Sequence, residues 1–184
     1  MAKFYQQLDE TLREFILAQH IFFHASAPLN GRVNLSPKGL DTLRIFSDTC
    51  IAWLDLVGSE NETAAHIAEN GRLTLMFCSF EKKPLIMRLY GTGKVVRPQD
   101  ADWNDLHGHF PSFPGERQII LLHIESLMTS CGFGVPVFEY KGERTKLLDY
   151  AIKKGADGML EYMRKKNQHS MDGLPTYLFE DPKV

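Results

Sequence analysis

The sequence predicts a mainly β fold, an antiparallel barrel with helices at its ends and flank. Three observations carry this. Arg72–Phe80 alternates, with Leu73, Leu75 and Phe77 set against Thr74, Met76 and Cys78, which is the two-residue period of a half-buried strand. Pro28-Leu29-Asn30-Gly31 separates two strand-like runs, and Asn-Gly readily takes the positive φ that a hairpin turn needs. No Pro- or Gly-rich linker or internal repeat divides the 184 residues, so one domain is expected over 1–184.

Taken in order, Lys3–Gln19 has helical period, with Phe4, Leu8, Leu12, Phe15 and Ile16 on one stripe, and predicts an opening helix. Ile21–Ala27 and Arg32–Ser36 read as the two hairpin strands, and Pro37-Lys38-Gly39 reads as the break that ends the second. Leu43–Phe46 and the apolar Thr49–Leu56 follow as strands. Gly58–Thr63 is a polar cluster that leads into a short helix at about Thr63–Asn70, stopped by Gly71. Leu85–Val96 is a strand whose internal Gly91 and Gly93 predict a bend or a close backbone approach. Pro98–Pro114 is a helical or irregular excursion, Gln118–Ser126 another strand, and Lys146–Lys166 a helical extension near the C-terminus.

Ala52–Leu56 and much of Gln118–Leu122 are apolar on both faces, whereas a small barrel has one interior. The surplus face predicts a homodimer. A formal net charge of -2 gives no global pull towards nucleic acid, and no apolar run is long enough to span a membrane. The N-terminal stretch carries acids within its apolar face, unlike a signal peptide. The cysteines Cys50, Cys78 and Cys131 are odd in number and widely spaced, with no CxxC pair, which argues against a disulfide framework and a structural zinc site and predicts a reduced, cytoplasmic protein. Cys50 and Cys78 sit in apolar runs and read as small buried hydrophobes.

Nucleotide-binding glycine loops, the nucleophile elbow and the HExxH zinc signature are all absent. His107 and His109 flank one residue and would suit a metal only if further ligands converged; the other histidines read as structural or surface groups. Two stretches could hold an anion. On a strand, Arg32, Asn34 and Ser36 share a face, with Lys38 just beyond, so a guanidinium, a hydroxyl and an ammonium could meet a phosphate; a solvated polar face fits the same pattern. Ser59, Asn61 and Thr63 open the short helix, where free N–H groups attract phosphate, but Glu60 and Glu62 compete for that positive end, and a capping box is the other reading.

These pieces, in this order through Phe22–Val96, resemble the FMN-binding split β-barrels related to pyridoxamine phosphate oxidase. The resemblance rests on Arg32…Ser36-Pro37-Lys38-Gly39, on Ala52–Leu56 leading into Gly58-Ser59, on His66–Gly71, and on the paired runs Arg72–Phe77 and Ile86–Gly91. Ser130–Pro136 and Met171–Pro175 are similar to one subgroup of that family. The resemblance implies FMN as cofactor, a homodimer with the flavin at the subunit interface, and a small-molecule substrate. It also implies a set of cofactor contacts: Arg32, Ser36 and Lys38 from the hairpin, Ser59, Asn61 and Thr63 from the loop, Asp55 and Leu56 along the flavin, and Arg88 nearby. True oxidases carry an Arg-Lys pair after the loop serine and a Trp-Arg-Leu-type ending. Here those places hold residues of Glu60–Thr63 and Asp172–Tyr177. The implied function is therefore a flavin-dependent oxidoreductase of another substrate, with a non-enzymatic flavin or haem module as the alternative.

Overall fold

The computed structural model describes residues 2–179. Eight strands form one antiparallel, split β-barrel sheet flanked by four helices. The strands are β1 (Lys3–Tyr5), β2 (Phe22–Ser26), β3 (Asn34–Lys38), β4 (Leu43–Ser47), β5 (Cys50–Leu56), β6 (Arg72–Cys78), β7 (Ile86–Val96) and β8 (Glu116–Ser130). The helices are α1 (Glu10–Leu17), α2 (Glu62–Asn70), α3 (Trp103–His107) and α4 (Lys146–Lys166). The sheet order is β3-β2-β6-β7-β8-β5-β4, with β1 added on β8.

The predicted first helix is divided in two. Lys3–Tyr5 instead pairs with β8, Phe4 opposite Met128. The helix starts only after Asp9, whose carboxylate accepts the Leu12 N–H at 2.8 Å. Leu12 and Ile16 keep the core side of the expected stripe, while Phe4 is exposed. The hairpin also differs. β2 and β3 pair from Ser26–Asn34 to Phe22–Lys38, so the connection is longer than the Asn-Gly turn suggests and Arg32 lies outside the strand. Pro37 does not end β3, which continues to Lys38. β3 is the edge of the sheet, where a residue without an N–H costs no ladder bond if that side faces outwards.

α2 stops where Gly71 takes φ 73°, as the Asn-Gly signal predicts. Gly91 answers to the second glycine expectation. The β7–β8 register shifts between Tyr90 and Gly91, and a Cβ at Gly91 would lie 1.9 Å from the His123 carbonyl oxygen. The C-terminal helix forms as expected but breaks at Gly155.

Both faces of β5 and of the first half of β8, residues 117–122, are buried within the chain. Ile51, Trp53, Ile120 and Leu122 join α1, β6 and β7 in one core. Ala52, Leu54, Leu56, Ile119 and Leu121 form a second with Phe110, against which Trp103, Leu106, Phe113 and Leu148 pack. The apolar surplus that predicts a homodimer is thus covered by α3, its flanking loop and α4. Cys78 is buried, Cys50 only half so, and Cys131 is exposed; all three are free. Among the described residues no helix is long and apolar enough to cross a membrane.

Candidate cofactor site

Two cavities adjoin at Lys38 and Gly58, the larger against β3, β5 and the segment that leads into α4, the smaller against β3, β5 and the start of α2. The larger is a half-open cleft of about 1010 Å³. Its walls include Phe23, Leu40, Leu54, Leu56, Phe80 and Phe138, with His20, Tyr140 and Arg144 among its polar members. His20 stacks on Tyr140 with centroids 3.6 Å apart, and Phe80 on Phe138 at 5.3 Å. The smaller cavity, about 140 Å³, is polar and includes His24, Ser36, Asp55, Ser59, Asn61 and Arg117. Lys38 and Gly58 belong to both.

The smaller cavity is organised around Asp55, which is 2% exposed. Its carboxylate accepts from Lys38 Nζ at 2.7 Å, from Arg117 Nη2 at 2.7 Å and from Gln118 Nε2 at 3.0 Å. Burial pushes this carboxyl up, but the Arg117 and Lys38 charges and their hydrogen bonds more than reverse that, holding it well below the usual carboxylate range. Arg117 also donates to the Glu60 carbonyl at 2.8 Å. Sequence reasoning missed Arg117. Strict alternation turns it away from Asp55, but the β5–β8 register jumps from Asp55–Gln118 to Leu56–Glu116, leaving Arg117 as the unmatched residue of a bulge. Nothing local in the sequence marks that bulge.

Behind Asp55 runs a buried polar network. Thr63 Oγ1 accepts from Asn34 Nδ2 at 3.0 Å and from Ser26 Oγ at 3.3 Å. Its single hydrogen is then left for His24 Nδ1, 3.0 Å away. This fixes the neutral His24 tautomer with its proton on Nε2, a buried atom that no protein group accepts from. Ser26 in turn accepts from His66 Nδ1 at 2.9 Å. Burial, helped by Lys38 and Arg117, lowers the His24 pKa from its ordinary 6.5 to about 3. A histidine that stays neutral in the fold but would charge when unfolded contributes stability that is complete above pH 6.5 and lost as pH falls towards 3. In an NMR titration the His24 ring is expected to remain neutral from pH 8 to about pH 4; a midpoint above about pH 6 would remove this account of the network.

The expected contacts separate into three groups. Ser36, Lys38, Asp55, Ser59, Asn61 and Thr63 all line the smaller cavity, and Leu56 lines the larger. Asn34 and Ser36 share a face with Lys38, as the alternation predicts, though Ser36 spends its hydroxyl hydrogen on Asn34 Oδ1 at 3.0 Å. Asn61 occupies the N-cap of α2, yet its side chain does not cap; it accepts from Gln118 and faces Asn167. Arg32 and Arg88 join neither cavity. Arg32 is tied through its backbone N–H and guanidinium to Asp172 of the C-terminal tail. Arg88 donates instead to Ser130 Oγ at 3.4 Å. Of the two glutamates, Glu60 is exposed. Glu62 is buried and accepts the Met171 N–H at 2.8 Å. His107 Nε2 lies 2.8 Å from Glu116, and no group of three or more His, Cys, Asp or Glu among the described residues could hold a metal ion.

Residues 8–131 match the family model described as pyridoxamine 5'-phosphate oxidase. The chain belongs to this family. The pyridoxamine 5'-phosphate oxidase family protein ustO of Aspergillus flavus is 38% identical over 200 residues, covering 95% of this chain and 78% of that protein. Among solved structures, HupZ of Group A Streptococcus superposes with a TM-score of 0.51 at 19% identity, covering 65% of this chain and 91% of its own. A Lactobacillus delbrueckii protein named for pyridoxamine 5'-phosphate oxidase gives 0.54 at 16% identity, covering 67% and 94%. At those identities the two structures speak for the fold alone. Within this member of the family, the large cavity has the size and apolar walls that suit a ring system, since sites for such ligands span about 300–1,000 Å³. Its small neighbour supplies polar partners but no surplus positive charge, because both of its cations already face Asp55.

Proposed function

We propose that this chain is a flavin-binding protein, with FMN the form that the family resemblance implies, acting as an oxidoreductase on a small molecule other than pyridoxamine phosphate. The observation that carries the reading is the large, mostly apolar cavity between β3, β5 and α4, in a chain whose family membership is established independently of it. Leu54, Leu56 and Phe23 would pack on the ring, and Lys38, Ser36, Ser59 and Arg117 would meet the polar tail. A bound flavin supplies hydride or electron transfer; the residues of this chain bind it, orient it and exclude water. A different substrate is what the sequence departure at Asp172–Tyr177 supports, a stretch in which Asp172 is engaged with Arg32. The homodimer implied by the family is part of the proposal. Phe138 and Tyr140, in the cavity wall, are 62% and 50% exposed, a face that a second subunit would cover.

The expected result is flavin fluorescence quenching at micromolar protein, bleaching of the bound yellow form by a nicotinamide reductant, and a dimer mass by light scattering. Absence of quenching by every flavin tried would overturn the reading. Quenching without bleaching by any reductant would leave a carrier in place of an enzyme.

A further inference from the structure

We propose that the small cavity takes an uncharged polyol end, so that this protein recognises its flavin by ring and ribityl chain and gains nothing from the phosphate. The inference rests on the flavin reading above and deepens it. A phosphate dianion is held where cations and N–H donors outnumber anions. Here the donors are present, but the cations do not outnumber the anions. The ionisable residues lining the cavity are Lys38 and Arg117, the carboxylates of Asp55, Glu60 and Glu62, and the neutral His24. The formal sum is -1, and it reaches only zero if Glu62 is protonated, the direction in which burial pushes it. The two cations are not spare. Each makes a 2.7 Å ion pair with the same buried carboxylate, which therefore stands where a ligand anion would have to compete. Arg32, the remaining cation of the hairpin, is held by Asp172.

Donors and acceptors are nevertheless left over. Lys38 uses one of its three N–H bonds in the Asp55 ion pair. Ser59 is exposed at the rim. The buried Nε2–H of His24, which lines the cavity, has no acceptor in the protein. Hydroxyl groups, which donate and accept without carrying charge, match such a surface; a dianion does not.

The test compares riboflavin with FMN on the full-length protein by fluorescence titration. The two dissociation constants are expected to agree within about threefold, and the FMN constant to stay nearly constant between low and high salt. Asp55→Asn frees both cations and should make FMN bind at least tenfold tighter than riboflavin. If the unmodified protein already prefers FMN tenfold or more, or loses FMN steeply as salt rises, the inference is overturned while the flavin reading stands. If neither flavin binds, the flavin reading itself fails. Should Asp55→Asn not fold, the comparison in the unmodified protein and its salt dependence decide the matter.

Discussion

Replacing Arg117 with alanine is expected to destabilise the protein by about 3–5 kcal/mol, the range for breaking one side of a buried ion pair. Arg117 is 4% exposed, and it is one of two cations on the almost wholly buried Asp55. Truncating it leaves that carboxylate with Lys38, whose side chain is 24% exposed and so better hydrated, and with Gln118. It also strands the Glu60 carbonyl in the loop before α2. Lys38→Ala should cost less, since Arg117 contacts Asp55 through both Nε and Nη2. Urea unfolding of the two variants measures this; a loss below about 1 kcal/mol for Arg117→Ala would show that Asp55 is not held as described. The pH dependence has a fixed sign. Asp55 is depressed below its unfolded value, so its contribution is fully present above the ordinary carboxylate pKa and fades as pH falls below it. In Arg117→Ala this acid-side loss should flatten.

The second large effect belongs to Gly91. Any Cβ there meets the His123 carbonyl oxygen at 1.9 Å and the Glu125 backbone nitrogen at 3.1 Å, and backbone on the neighbouring strand cannot step aside as a flexible side chain would. Gly91→Ala is expected to cost on the order of 3 kcal/mol or more, as overpacking against rigid neighbours does. For a chain of this size that corresponds to a melting temperature lower by roughly 6–12 °C. A melting temperature within 2 °C of the parent would mean that the β7–β8 crossing relaxes freely.

Most of the sheet was legible because its strands obey simple rules. β5, β6 and β7 are apolar or alternating runs bounded by turn residues, and Gly71 stops α2 where a positive φ is needed. The mistaken elements are those in which a distant partner overrides local pattern. Lys3–Tyr5 has helical spacing but is claimed by β8, more than a hundred residues away. Pro37 reads as a breaker, yet the edge position of β3 tolerates it. The same division runs through the site. Ser36 and Lys38 were visible because alternation on one strand puts them on one face. Arg117 was invisible because a bulge reverses its direction. Arg32 lies apart from both cavities because it pairs with Asp172, 140 residues away, and no local rule couples the two.

That coupling across the sequence has a kinetic meaning. The loop opening α2 is tied to residues 167–171 three times over: Met171 N–H to Glu62, Asn167 Nδ2 to the Gly58 carbonyl, and Asn61 Nδ2 to the Asn167 carbonyl. Contacts of such sequence separation form late, because loop closure must precede them. During synthesis the sheet can assemble strand by strand, but the loop that borders the smaller cavity is not tied down until residues 167–171 have left the ribosome. A nascent chain can therefore form its sheet before the smaller cavity is closed off by these ties.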